Sequence, residues 1–140
     1  MRNVARTAAL LAGLLAAAIV HGADPAKVST AKELKWIDAA EPAGARQAAL
    51  WGDPKAADNG TLVRWKFNTK YPDLVRDQDV HFIVLTGTFT VEIDGGYREL
   101  GPGGFVSIPK GVKHTLGCEA AGECKFLMHH PGAVEVAKGK

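Results

Sequence analysis

Between Gly103 and His114 the chain reads GGFVSIPKGVKH: a short apolar run, a Pro-Lys-Gly break, and a histidine three residues beyond it. Proline presets φ and glycine supplies positive φ, so Pro109-Lys110-Gly111 reads as a tight turn. Phe105 to Ile108 reads as the strand entering that turn, and Thr115-Leu116 as part of the strand leaving it. Because strand side chains alternate, the turn also fixes which face His114 presents; a slip of one residue would reverse it.

The same punctuation runs outward in both directions. Leu62-Val-Arg-Trp-Lys-Phe67 alternates, with Leu62, Arg64 and Lys66 on one face and Val63, Trp65 and Phe67 on the other. Phe82 to Leu85 and Phe89 to Ile93 flank Thr86-Gly87-Thr88, and Asp94-Gly95-Gly96 turns the chain into Tyr97 to Leu100. Leu34 to Ile37, Ala48 to Trp51 and Phe126 to Met128 complete the expected strands. Turn signals recur about every 8 to 12 residues and helical periodicity is nearly absent, which predicts an all-β sandwich or barrel. At 140 residues, 46% hydrophobic and 23% charged, the chain has length for one folded domain, and it has no internal repeats.

Gly103, Pro109, Gly111 and His114 fit the second signature of the cupin superfamily, G-x5-P-x-G-x2-H-x3-N, at every position but the last, where Cys118 stands. His81-Phe-Ile-Val-Leu-Thr-Gly87-Thr-Phe89 resembles the end of the first cupin signature, and Leu50-Trp-Gly-Asp-Pro54 is similar to segments preceding the barrel in small cupins. The resemblance implies a double-stranded β-helix, or jelly-roll barrel, over about residues 34–130. It also implies a homodimer that pairs through an outer sheet and exchanges N-terminal strands such as Leu34 to Ile37.

In the cupins that this chain resembles, the turn points its histidine inward to complete a metal site with ligands from the first signature, H-x-H-x3-E-x6-G. Counted back from Gly87, those positions hold Leu74, Arg76 and Val80. Leucine and valine have no donor atoms and a protonated guanidinium has no lone pair to give. His114 alone is a poor site for a divalent metal. Three ways of rebuilding a transition-metal site stay open. Asp73, Asp77 or Asp79 could turn inward. His81 could serve as a ligand, although its neighbour Val80 occupies the inward position and alternation points His81 outward. Finally, if Cys118 and Cys124 face each other in a hairpin, Met128 falls opposite His114 with His130 diagonal to it, a soft donor set suited to copper. The metal-free alternative makes Arg76 and His114 a convergent pair for an anion, with Leu74 and Val80 as apolar lining.

The N-terminal residues bear on the compartment. Arg2 and Arg6 precede a continuous Ala/Leu-rich run, Ala8 to Val20, and small residues follow at Gly22 and Ala23. This is the layout of a signal peptide over residues 1–22, with the domain at 23–140; the run is short for a membrane anchor. Removing Arg2 and Arg6 from a formal charge of +2 leaves the rest near neutral, which argues against nucleic acid and anionic membranes as partners. In a periplasmic or secreted protein, Cys118 and Cys124 are expected to form a disulfide rather than a redox or metal pair.

Three functional expectations follow. The first is an exported cupin that binds a small acidic molecule with no cofactor. The alternative is a metal-dependent dioxygenase or isomerase with ligands at unusual positions. A barrel that binds nothing and acts through its surface is the third, blander reading.

Overall fold

The computed structural model describes residues 25–53, 55, 58–119, 122–132 and 136–138. The expected signal segment lies outside them. The described residues form eleven strands and no helix: β1 (Ile37–Asp38), β2 (Arg46–Trp51), β3 (Asn59–Trp65), β4 (Thr69–Arg76), β5 (Val80–Thr86), β6 (Phe89–Ile93), β7 (Gly96–Leu100), β8 (Phe105–Ile108), β9 (His114–Cys118), β10 (Cys124–His130) and β11 (Val136–Lys138). They build two antiparallel sheets facing each other, ordered β1-β2-β3-β10-β5-β8 and β11-β4-β9-β6-β7. This is the expected jelly-roll barrel.

Alternation decides what lies between the sheets. Val80, Phe82 and Val84 of β5 are buried while His81, Ile83 and Leu85 face out. Val63 and Trp65 of β3 are buried as the sequence predicts, but Phe67 is 60% exposed. The strand stops at Trp65, and Asn68 at φ 55° turns the chain before Phe67 can continue the pattern. Four aromatic rings hold the centre. Phe126 sits 4.7 Å from Phe89, 5.2 Å from Trp65 and 5.7 Å from Phe82, centroid to centroid.

The Pro109-Lys110-Gly111 turn carries the chain from β8 in one sheet to β9 in the other. Gly111 takes φ 78°, a left-handed value that favours glycine. Its amide donates to the Arg76 carbonyl at 2.8 Å, and the Lys110 amide donates to Asp79 Oδ1 at 2.9 Å. The turn thus fastens both the end of β4 and the start of β5. Gly87, at φ 83°, is held by a closer constraint: a Cβ there would sit 2.6 Å from the Glu123 carbonyl oxygen.

Ile37 and Asp38 are the paired part of the N-terminal stretch and lie on β2 of the same chain, so the strand expected from Leu34 begins at Ile37. At the other end, sheet pairing runs past residue 130, because β11 adds to β4. Cys118 and Cys124 are disulfide-bonded, with Cα atoms 5.8 Å apart, but not across a hairpin. Cys118 ends β9 and Cys124 begins β10, which lie in different sheets, so the bond staples sheet to sheet. A loop this short predicts a loss of about 2 kcal/mol on reduction. Urea unfolding with and without dithiothreitol checks this, and coincident curves would refute it.

Candidate functional site

A cavity of about 550 Å³ opens between the sheets beside β3 and β4. That is within the size range of small-molecule sites. The register of β3 on β10 grades its wall: Asn59 lies opposite His130, then Thr61 opposite Met128, then Val63 opposite Phe126, with Trp65 beyond. One end of the wall is therefore polar and the other aromatic. Phe82, Leu116 and Tyr71 complete the apolar part, while Glu41 and Lys55 lie at the exposed rim.

Arg76 lines this cavity from the facing sheet and is 6% exposed. Among the described residues no carboxylate forms an ion pair with it, and its Nε has no hydrogen-bond partner. The guanidinium lies 6.0 Å from the Phe82 ring centroid, a modest compensation for lost water. Burial pushes its pKa down to about 10, with the nearby Tyr71 opposing, so it stays charged at neutral pH. Tyr71 donates to Glu41 Oε2 at 2.7 Å, and burial together with that bond raises its phenol to about 12.

His130 is the residue the sequence reading underweighted. It is 1% exposed and lines the cavity, and neither ring nitrogen makes a hydrogen bond of good geometry, although the Asp79 backbone lies close enough to one of them to act on it. Burial first, and the Arg76 charge second, lower its pKa to about 4; the nearby Asp79 backbone and Asp77 offset only part of this. The imidazole is neutral at physiological pH. Because the folded value lies below an unfolded value near 6.5, its contribution to stability is present above pH ~6.5 and is lost as pH falls toward ~4, by about 3 kcal/mol. Denaturant midpoints across that window should drop in the wild type and drop less in His130→Gln.

The other expected lining residues lie elsewhere. Leu74 and Val80 are fully buried in the core and do not reach the cavity. His114 points inward, as expected, but it too stays off the cavity wall. Its Nδ1 donates to the Val112 carbonyl at 2.8 Å, which leaves a buried Nε2 without a partner among the described residues. Burial lowers its pKa, the Val112 bond opposes this, and Arg76 adds to the lowering. Arg76 and His114 are therefore neighbours, but the cavity's polar pair is Arg76 and His130.

Among the described residues no three His, Cys, Asp or Glu side chains converge. The hairpin geometry behind a copper site fails because β9 and β10 belong to different sheets. Met128 pairs with Thr61 and Phe82, while His114 pairs with Leu74 and Ile93. Asp73, Asp77 and Asp79 are exposed, and Asp73 meets Lys113 at 3.0 Å. His81 faces outward, stacked between His129 at 5.5 Å and Phe105 at 6.1 Å.

Comparison with known proteins agrees with this architecture. The Cupin domain family matches residues 74–130. The polyketide cyclase RemF from Streptomyces resistomycificus superposes with a TM-score of 0.71 at 21% identity, over 81% of this chain and 85% of that one. A Salmonella typhimurium protein assigned as ethanolamine utilization protein Q gives 0.61 at 22% identity, over 77% and 87%. Salicylate 1,2-dioxygenase from Pseudoaminobacter salicylatoxidans, in complex with gentisate, gives 0.61 at 15% identity, over 73% of this chain but 31% of that one. No curated protein matches the chain. From the end of β4 to the end of β10 the match to the Cupin domain family and the jelly-roll topology coincide, so the fold is that of a cupin barrel.

Proposed function

We propose that the barrel binds a small carboxylic acid without a metal, with Arg76 as the anion anchor. The observation that carries this reading is a buried guanidinium facing the cavity with no ion-pair partner among the described residues. Burying a charge is costly unless it is paired, and a carboxylate is the partner whose geometry a guanidinium fits. At the former metal-ligand positions, Leu74 and Val80 are core packing and Arg76 is a cation. A metal-dependent enzyme would need ligands that the described residues do not bring together.

The same proposal places the protein in the periplasm or outside the cell. Its support is the signal-like N-terminus and the Cys118–Cys124 bond. A homodimer would cover the exposed outer face carrying Trp51, Ile83, Phe105 and Leu127. Sedimentation at micromolar concentration should give twice the monomer mass.

Calorimetric titration of tag-free protein with monocarboxylic acids, beside elemental analysis of the same sample, tests the main reading. The expected result is saturable binding with no stoichiometric metal. Near-stoichiometric iron, manganese, nickel, zinc or copper would overturn it.

A further inference from the structure

The cavity wall carries more information than a site for any acid. Its polar end offers one fixed cation, Arg76, and one imidazole, His130, which has the Asp79 backbone beside one ring nitrogen and makes no well-formed hydrogen bond through the other. Four residues further along β10 lies Phe126, roughly 13 Å away at strand rise. Phe126, Phe82 and Trp65 all reach the cavity from that side. A ligand held at the polar end by Arg76 places its body against Phe82, 6.0 Å from the guanidinium, the near part of the aromatic wall, so a charged head on a flat apolar body fits.

The charge count narrows the head group. Arg76 supplies one buried positive charge. Lys55 and Glu41 stand at the exposed rim with opposite signs, so the rim adds no net attraction. A neutral imidazole can donate from one nitrogen and accept at the other, which suits a hydroxyl or carbonyl and leaves a second carboxylate without a counter-charge.

We infer that the cavity takes aromatic monocarboxylates bearing a neutral hydroxyl, with Arg76 engaging the carboxylate, the aromatic wall covering the ring, and His130 reading the hydroxyl as the specificity-determining residue. This rests on the carboxylate reading above and names the class of acid. An aliphatic acid of the same charge would leave the aromatic wall uncovered, and an unsubstituted aromatic acid would leave His130 unpaired. A buried polar group left without a partner is penalised more than a made bond is rewarded, so discrimination by His130 follows.

The test titrates wild-type protein with benzoate, the three hydroxybenzoate isomers and benzene-1,2-dicarboxylate. Benzoate should bind, and at least one hydroxybenzoate should bind about 3- to 10-fold more tightly. The dicarboxylate should bind more weakly than benzoate. In His130→Leu the preference for that isomer should vanish, and benzoate should bind at least as tightly as in the wild type because no polar group is then left unpaired; His130→Gln, which keeps a donor and an acceptor, should retain part of the preference. Benzoate binding with no preferred isomer, or with a preferred dicarboxylate, overturns this inference and leaves the carboxylate reading standing. If neither benzoate nor any isomer binds, this inference falls, and the carboxylate reading falls with it only if the aliphatic monocarboxylates also fail to bind.

Discussion

Arg76→Met is expected to lose acid binding and gain stability. A charge-assisted bond from a guanidinium is worth about 1.5–3 kcal/mol, so affinity for a bound monocarboxylate should fall about 10- to 100-fold. Stability should move the other way. Burial lowers the Arg76 pKa from 12.5 to about 10, which means that the fold disfavours the charged form at neutral pH. Removing the charge while keeping most of the side-chain volume should therefore stabilise the ligand-free protein by about 2 kcal/mol after some lost packing is discounted. The sign is confirmed by pH. A depressed guanidinium pKa predicts that the stability of the wild type relative to the variant improves as pH passes through ~10 toward 12.5, against the loss that the raised Tyr71 pKa brings to both proteins in that window. Urea unfolding and calorimetry read the two effects separately. A variant that is less stable and binds equally well would mean that Arg76 serves the fold.

Phe126→Ala should have the largest effect on folding. The ring is 1% exposed and meets three other aromatic rings at 4.7–5.7 Å, so truncation leaves a void bounded by both sheets. Large aromatic-to-alanine changes in a core cost about 3–5 kcal/mol. That is a large share of the stability of a domain this size. Thermal unfolding followed by circular dichroism should show the midpoint falling by more than 10 °C, on the order of 4 °C or more per kcal/mol. A loss under about 1 kcal/mol would mean that the centre of the barrel repacks freely.

The fold was legible because its signals are local. The Pro109-Lys110-Gly111 turn, the alternation through Phe82–Leu85 and the glycine at Gly87 each constrain a few residues, and each reappears in the structure. Arg76 was also legible, since a counted position in a known motif placed it inward. What escaped were relations between strands. Cys118 and Cys124 are close in sequence and look like a hairpin, yet nothing between them says that the chain changes sheets there. Once that crossing was missed, Met128 was set opposite the wrong residue and His130 was seen as a diagonal neighbour of His114 rather than the partner of Asn59 on the cavity wall. β4 escaped for a different reason. Pro72, Asp73 and the shift in pairing between Tyr71 and Leu74 break its alternation, so the strand that delivers Arg76 lacks a regular pattern.

The position of the disulfide has a mechanical consequence. On β10, Cys124 pairs with Trp65 at one end and His130 pairs with Asn59 at the other; on β9, Cys118 and His114 are likewise opposite ends. At the His114 and His130 end the backbone itself ties the sheets, through residues 77–79 between β4 and β5 and through the Pro109-Lys110-Gly111 turn between β8 and β9. The disulfide adds a further tie at the opposite end, across the β9–β10 link, so that segment cannot peel away from either sheet while the bond is intact. In deuterium exchange, amides around Cys118 and Cys124 should open only with the whole molecule in the oxidised protein and through smaller fluctuations once the bond is reduced.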